Sequence, residues 1–292
     1  MKSMKEFTEE VGETSFVTVR GGGTRWNLGG PLMEGAIEVT APIGVVNFKP
    51  EEMIVRVGAG TKLSTLQKEL TELKQEVALE GFSNSTVGGS LAVGSSSHRR
   101  ARIGAASDVL LQADCVGADG KQFVAGGPTV KNVTGYDICK LLVSSLGTLA
   151  LMGLVTLRTR PKPEMGVWFK GKVLFEEIVR SCYRPASVLS DGSETFVLIE
   201  GYAQDVEKES ASLEKLGMRV MESAPIIPPV VKGPVKDDWN EGLLDLQIGA
   251  FHSYDPQSEM PLADGVKKLS DRIKNNFDPT GRLNPGRSPY RN

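Results

Sequence analysis

The sequence predicts a mixed chain of strands and helices, folded as a main domain and a smaller α+β unit. Its 292 residues are enough for one sizeable core and a second, smaller one. Strand-like segments and a strongly periodic helix fill the first half, and Pro161-Lys-Pro163 separates them from a stretch of different texture. We therefore place the domain boundary after residue 161.

The composition narrows the classes of function. Lys and Arg number 34 and Asp and Glu 36, a net charge of −2, whereas nucleic-acid or membrane-surface binding would favour a basic field. Cys115, Cys139 and Cys182 lie far apart without a CxxC pair, which argues against disulfides, an iron–sulfur cluster or a zinc site. The chain opens without an apolar signal core, and the apolar run at 141–157 is interrupted by Ser and Gly. We expect a cytoplasmic protein with no transmembrane segment and no metal.

The elements of the main domain follow from local patterns. Residues 16–20 predict a short strand that runs into three glycines, and residues 53–57 predict a second strand. A helix is predicted by apolar residues spaced three and four apart, with Ser64 and Gln67 as its capping box. These apolar residues are Leu63, Leu66, Leu70, Leu73 and Val77. A hairpin is predicted from 109–116 and 122–124 around Asp119-Gly120, and a further strand over 149–159.

Beyond residue 163, short strands and helices alternate. The predicted strands are 167–169, 195–199 and 219–221, and the predicted helices are 175–182 and 206–216. The Pro-rich stretch 224–235 is expected to be extended, and a last helix over 262–277 leads into the ending Asp278-Pro-Thr-Gly-Arg-Leu-Asn-Pro-Gly-Arg287.

The first candidate for chemistry is Arg20-Gly-Gly-Gly-Thr24. Consecutive backbone N–H groups with no Cβ beside them form a nest for phosphate oxygens, and a flanking Arg adds charge. The segment is not a P-loop, since no Gly-Lys-Ser/Thr follows, and it is not a GxGxxG fingerprint. From these residues alone, an ordinary glycine-rich turn is an equally good interpretation.

The second candidate is the segment 86–104, Thr-Val-Gly-Gly-Ser-Leu-Ala-Val-Gly-Ser-Ser-Ser-His-Arg-Arg-Ala-Arg-Ile-Gly. Side chains this small leave room for a ligand or a close crossing of backbone. Hydroxyls and amides at 95–97 suit a polar ring edge, and Arg99, Arg100 and Arg102 supply cations. A flexible serine-rich surface loop is the alternative.

Other kinds of site are disfavoured. In Gly58-Ala-Gly-Thr-Lys-Leu63, Leu63 stands where a Rossmann fingerprint needs its third glycine. His98 and His252 are the only histidines and have no partner at metal-ligand spacing. The sequence has no Gly-x-Ser-x-Gly elbow, which argues against a hydrolase.

Three blocks in order resemble the PCMH-type FAD-binding domain of the vanillyl-alcohol oxidase superfamily, and most closely the E subunits of bacterial glycolate oxidase (glycolate dehydrogenase). The blocks are the Arg20 loop, the segment 86–108, and Val130-Lys-Asn-Val-Thr-Gly-Tyr-Asp-Ile-Cys-Lys-Leu-Leu142 followed by Leu146-Gly-Thr-Leu149. The ending 277–287 is similar to the family's C-terminal signature. One departure is Gly94, which stands where relatives usually have an Asn.

The resemblance implies an α+β fold with three parts: a flavin domain of two α+β subdomains over 1–161, a reduced α+β cap over 162–261, and a C-terminal helix and tail over 262–292 that return to the flavin domain. It implies non-covalent FAD, since Thr24 and no histidine follows the glycines. The implied FAD-binding residues are Arg20, Gly21, Gly22, Gly23, Thr24, Gly88, Gly89, Ser90, Ser95, Ser96, Ser97, Arg102, Gly104, Asp108, Leu151, Met152 and Asn284.

The implied function is an FAD-binding subunit of a complex that oxidises a small 2-hydroxy acid such as glycolate. Flavoprotein D-type and iron–sulfur F-type subunits are the expected partners, through which the chain would lie peripherally at the inner membrane. Arg99, Arg100 and Arg102 are candidates for binding the substrate carboxylate, and no residue is assigned as catalytic. Two alternatives stay open: an accessory subunit that binds FAD while a partner does the chemistry, and a flavin-free scaffold.

Overall fold

The computed structural model describes residues 2–94, 96–128, 137–228, 230–231, 242–253 and 263–290. The helices are α1 (Met4–Val11), α2 (Leu63–Glu72), α3 (Val87–Val93), α4 (Arg100–Ile103), α5 (Ile138–Leu142), α6 (Phe175–Ser181), α7 (Ala203–Lys215) and α8 (Asp264–Phe277). The strands are β1 (Val17–Val19), β2 (Ile37–Val39), β3 (Val45–Lys49), β4 (Ile54–Gly58), β5 (Gln75–Val77), β6 (Leu110–Val116), β7 (Gln122–Gly126), β8 (Leu151–Pro161), β9 (Met165–Gly171), β10 (Ser187–Ser190), β11 (Thr195–Gly201), β12 (Arg219–Val220), β13 (Val230–Val231), β14 (Leu243–Asp245) and β15 (Ala250–His252).

The described residues divide into two compact units. The first lies within 1–95, 105–161 and 259–292, and the second within 96–104 and 162–258. No described helix is both long and apolar enough to span a membrane.

The first unit is built on an antiparallel sheet in the order β3-β4-β8-β6-β7, with β5 paired to the far end of β8. Beside it, β1 and β2 pair in parallel, and Val17 of β1 also bridges Leu283 near the C-terminus. The apolar stripe of α2 buries Leu63, Leu66 and Leu70, and full burial of such a side chain contributes about 1.5–3 kcal/mol. This packing confirms the predicted helix, and the predicted hairpin is present as β6 and β7.

Two details of the helix prediction are wrong. Val77 lies in β5, because α2 ends at Glu72 and Lys74 takes a left-handed φ of 55° that turns the chain. Ser64 and Gln67 do not form a capping box, since Lys62 is the N-cap residue and makes no side-chain cap. The Gln67 amide instead donates to the carbonyl oxygen of Val77 at 2.9 Å, so it binds the strand that follows the helix.

The second unit is a seven-stranded sheet in the order β12-β9-β11-β10-β14-β15-β13, with every neighbouring pair antiparallel. Helices α6 and α7 belong to the same core, which includes Phe169, Val197, Ile178, Val206 and Leu213. The strands and helices predicted between residues 167 and 221 are thereby confirmed. Helix α4, from the segment 96–104, contacts β10 of this sheet.

Candidate functional site

An open cleft in the first unit brings together segments that are far apart in the sequence. The empty space in and in front of this cleft, open solvent included, is about 910 Å³. The walls come from the end of β1 with the loop after it, the turn between β4 and α2, the first turns of α3, the start of β8, and the C-terminal tail. A cleft of this kind, with polar groups at its wall, is the usual form of a small-molecule site.

The glycine loop contributes a row of backbone donors to the cleft. Among the described residues, the N–H groups of Gly21, Gly22, Gly23 and Thr24 have no acceptor, although all four residues line the cleft. The preceding N–H, of Arg20, is already bonded to the Val39 carbonyl at 2.9 Å. Four consecutive unpaired N–H groups form a nest that suits an anion such as phosphate.

Glycine stands at positions 22 and 23 of this loop for different structural reasons. A Cβ at Gly22 would lie 1.7 Å from the carbonyl oxygen of Asn84, so the chain's own crossing requires a glycine there. Gly23 has φ +68°, and a Cβ on it would meet no heavy atom within 4 Å. The space beside Gly23 is therefore open to a ligand.

The first turn of α3 forms another wall but offers few donors. Thr86 is the N-cap residue, and its Oγ1 accepts from the N–H of Gly89 at 3.2 Å. Gly88 donates to the carbonyl of Ala59 at 2.7 Å, and a Cβ on Gly88 would lie 2.8 Å from the Cβ of Ala59. The glycine at position 88 is therefore required, first of all, by the close packing of α3 against the turn between β4 and α2.

One hydroxyl group of α3 is left without a partner. Ser90 is 2% exposed and lines the cleft, and its Oγ makes no hydrogen bond in the part of the chain that the structure describes. Buried polar atoms are nearly always satisfied, and exceptions point to a group that is absent. Ser90 is therefore a polar contact available to a ligand of the cleft.

Asn284 fixes the C-terminal tail against the cleft. Its side-chain oxygen accepts from the Thr18 hydroxyl, and its side-chain amide donates to the carbonyl of Leu146. Its backbone N–H donates to the Val17 carbonyl at 2.9 Å, with φ at 46° in the left-handed region where Asn is tolerated. The tail is thereby bound to β1 and to the start of the segment that leads into β8.

Comparison with known proteins agrees with this geometry. Residues 12–126 match the family model described as an FAD binding domain. Residues 12–126 of this chain therefore match a PCMH-type FAD-binding domain. The recognition of this family from the sequence is confirmed, and so is the α+β fold class.

Two relatives and one solved structure show the extent of the similarity. Glycolate oxidase subunit GlcE of Escherichia coli K12 is 25% identical over 60% of this chain and 51% of its own length. A D-lactate dehydrogenase of Archaeoglobus fulgidus is 32% identical over 50% of this chain and 33% of that protein. The structure of alkyldihydroxyacetonephosphate synthase superposes with a TM-score of 0.60 at 17% identity, covering 76% of this chain and 51% of that one, which shows a shared fold. The chain spans about half the length of GlcE.

Most of the predicted FAD-binding residues of this domain share the cleft. They are Arg20, Gly21, Gly22, Gly23, Thr24, Gly88, Gly89, Ser90, Leu151, Met152 and Asn284. Asp108 does not line it, because it is exposed and its carboxylate accepts from the Ala105 N–H at 2.9 Å at the start of a short 3₁₀ turn. Ser95 and residues 130–136 of the third block, 130–142, lie outside the described residues.

The remaining predicted residues belong to the second unit. Ser96, Ser97, Arg102 and Gly104 are part of its segment 96–104. The guanidinium of Arg99 donates to a carboxylate oxygen of Glu200 at 2.6 Å, and Arg102 Nε lies 3.8 Å from the other oxygen. Arg99 and Arg102, predicted to bind a substrate carboxylate, thus share the 5% exposed carboxylate of Glu200.

Asp245 is a buried acid of the second unit that the sequence patterns did not reveal. Its residue is 0% exposed, and its Oδ1 accepts from the N–H groups of Gln247 and Ile248. Burial raises the pKa of this carboxyl to about 6, against the opposing effects of those N–H groups and of the Arg100 charge. A single Asp at the end of a three-residue strand carries no periodic signal, so only its burial distinguishes it.

The departure at Gly94 has a structural cause in the FAD-binding domain. Gly94 ends α3 with φ +65°, and a Cβ on it would lie 1.8 Å from the Ser144 hydroxyl oxygen. The Ser144 N–H also donates to the Leu91 carbonyl at 3.0 Å, which holds the two segments together. An asparagine at position 94 would need the space that Ser144 occupies.

Proposed function

We propose that this chain is the FAD-binding subunit of an oxidoreductase that acts on a small 2-hydroxy acid such as glycolate. The observation that supports FAD binding most directly is the row of four unpaired N–H groups at 21–24 in the cleft of an FAD-binding domain. The substrate class rests on the relatives, which are named a glycolate oxidase subunit and a D-lactate dehydrogenase.

The residues of the cleft fit this cofactor. The N–H groups of Gly21, Gly22, Gly23 and Thr24 would hold the diphosphate, and the unpartnered Ser90 hydroxyl would meet another polar group. The open space beside Gly23 admits a ligand against backbone. When bound, FAD supplies the acceptor for a hydride from the α-carbon of the acid. We propose non-covalent binding, since the loop has no histidine.

We further propose that electrons leave through partner subunits of the D and F types, the second carrying iron–sulfur clusters. The relative GlcE is named as a subunit, which supports assembly into a complex. The three cysteines of this chain are free and buried, and burial raises the pKa of Cys139 and Cys182 to about 11. Such thiols are poor cluster ligands, because ligation requires the thiolate.

An accessory role without substrate oxidation is the second candidate. It is favoured by the pairing of Arg99 and Arg102 with Glu200, because arginines that share a buried carboxylate are less available to a substrate carboxylate. In that case a companion flavoprotein would perform the oxidation.

An anaerobic titration of the purified chain separates these roles. The visible spectrum is recorded after reconstitution with FAD, and glycolate or D-lactate is then added, with acetate as a control that lacks the hydroxyl group. Bleaching by the hydroxy acids alone supports oxidation by this chain. A yellow protein that does not bleach supports the accessory role, and a chain that stays colourless after reconstitution contradicts the proposal that it binds FAD.

A further inference from the structure

One arginine of the cleft, Arg287, forms no ion pair with the residues that the structure describes. The Nη2 of Arg287 donates to the carbonyl oxygen of Trp26 at 2.6 Å, and its guanidinium lies 4.2 Å from the centre of the Trp26 ring. Its Nε is buried with no acceptor, and within the described residues no group accepts from Nη1 and no carboxylate lies within ion-pair distance. A guanidinium has five N–H donors, so most of the donors of Arg287 are unused.

Two other arginines of the first unit show the contrast. Arg20 also lies over the Trp26 ring, at 4.6 Å, but it donates to both carboxylate oxygens of Glu38 at 3.0 Å. Arg282 is 1% exposed, and every one of its side-chain nitrogens donates to a backbone carbonyl. The charge expected from Arg20 is therefore already paired, whereas that of Arg287 is not.

We propose that Arg287 is a second anion-binding element of the cleft and binds the diphosphate of the cofactor together with the N–H groups of the glycine loop. The proposal rests on the proposed binding of FAD. Arg287 lines the same cleft as residues 21–24, and its partner Trp26 is hydrogen-bonded to that loop through Gly23. A planar guanidinium can donate two parallel N–H bonds to two phosphate oxygens and also neutralise their charge. A neutral polar ligand would not require that charge.

The surroundings of Arg287 support an anionic ligand. Burial lowers the pKa of Arg287, partly opposed by the charge of Glu38, so its charged form is disfavoured when the cleft holds no anion. The contact with the Trp26 ring and carbonyl holds the guanidinium in place, which limits the ordering that binding requires. An incoming diphosphate would supply the missing charge and acceptors.

The test compares binding of FAD and of riboflavin, which has no phosphate, to the full chain freed of flavin. Three variants are measured: Arg287→Gln, which keeps a donor for the Trp26 carbonyl but removes the charge; Arg287→Lys, which keeps the charge; and Arg219→Gln, an exposed arginine of the second unit, as the control. Dissociation constants are obtained by flavin fluorescence at several salt concentrations, and each variant's melting temperature is recorded.

We expect Arg287→Gln to weaken FAD binding about ten- to a hundredfold, the range for loss of hydrogen bonds to a charged group. Riboflavin binding should stay unchanged, and the loss with Arg287→Lys should be smaller. Equal FAD affinity for wild type and Arg287→Gln overturns the proposal, and so does an equal loss for FAD and riboflavin, which indicates a structural role. If Arg287→Gln does not fold, Arg287→Lys decides. Wild-type affinity of Arg287→Lys for FAD overturns the proposal, and a loss of affinity for FAD but not for riboflavin supports it. A wild-type chain that binds no FAD contradicts the proposed function itself, before any variant is compared.

Discussion

The Cβ position of Gly22 lies 1.7 Å from the carbonyl oxygen of Asn84. Glycine is therefore needed at this point of the glycine loop for a reason that precedes any ligand, namely the crossing of two backbone segments 62 residues apart (84 − 22). Substitutions at Gly22 should therefore reduce the stability of the fold, whereas substitutions elsewhere in the loop can reduce ligand binding alone.

Substitution of Gly22 by Ala is expected to destabilise the first unit by about 1–3 kcal/mol, because a backbone carbonyl cannot move aside as a flexible side chain can. Gly23→Ala is the matched control: its φ of +68° costs about 1–2 kcal/mol, but its Cβ meets no atom within 4 Å. Urea unfolding of the flavin-free chain measures the stability of each variant. The FAD affinity of each variant then shows whether binding is affected as well. A stable Gly22→Ala chain with normal FAD content would be inconsistent with this role of the glycine.

Ser90→Ala is expected to change stability and binding in opposite directions. Removal of a buried hydroxyl with no partner should leave the flavin-free chain as stable as before or more stable by about 1 kcal/mol. The same change should weaken FAD binding, if Ser90 bonds the cofactor. Ser145→Ala is a suitable control, since the buried Ser145 hydroxyl already donates to the Leu142 carbonyl at 2.7 Å and Ser145 does not line the cleft. Unchanged FAD affinity in Ser90→Ala would remove this residue from the site.

Glu200→Gln is expected to destabilise the second unit by about 1.5–3 kcal/mol, because it leaves the partly buried guanidinium groups of Arg99 and Arg102 without their carboxylate. Glu194→Gln, one residue before the same strand, is the control, since its pair with Lys170 is 3.8 Å apart and partly exposed and should contribute less than about 1 kcal/mol. Chemical unfolding followed by tryptophan fluorescence compares the two. Equal effects would show that burial does not govern these pairs.

Asp245→Asn is expected to alter the dependence of stability on pH. The folded pKa of about 6 lies above the ordinary value of about 3.9, so the folded chain retains a proton that the unfolded chain releases. Stability should therefore fall as pH rises from about 4 to 6, by up to about 3 kcal/mol at neutral pH. Asn at position 245 keeps an oxygen that accepts from the Gln247 N–H, and it should abolish the loss of stability with rising pH. Asp271→Asn, at an exposed position, is the control and should leave that loss unchanged. Parallel stability curves for wild type and Asp245→Asn between pH 4 and 7 would refute the assignment.

Asp278→Asn is expected to loosen the attachment of the C-terminal tail and to lower the stability of the chain above pH 4. Burial alone would raise the pKa of Asp278, but hydrogen bonds from Lys274 Nζ at 2.5 Å and from the Leu283 N–H at 2.8 Å hold it below its usual value. A lowered folded pKa means stability that is present above the unfolded value and lost as the pH falls. The loss in Asp278→Asn, about 1.5–3 kcal/mol, should thus be large at pH 7 and small at pH 3, measured by thermal unfolding. Exposed Asp264→Asn is the control, and a loss that does not depend on pH would contradict the charge effect.

Features with a local signal were predictable from the sequence. The apolar spacing of Leu63, Leu66 and Leu70 predicted α2, and Asp119-Gly120 predicted the hairpin turn, because helix periodicity and turn preferences involve residues close in the chain. Val77 was misassigned since it continues the same spacing, although it pairs in β5 with Thr159, 82 residues further on (159 − 77). No local pattern contains that partner.

The sequence by itself determined the family of this domain, because glycine runs, small residues and the order of the motifs are properties of the primary structure. The tertiary structure alone decided how the charges are shared: Arg20 pairs with Glu38 and Arg99 with Glu200, while Arg287 donates to Trp26 and has no ion-pair partner in the described part of the chain. These partners lie between 18 and 261 residues apart. Sheet register and the return of the C-terminal tail bring them together, so the cation that is available to an anion is recognisable only once the chain has folded.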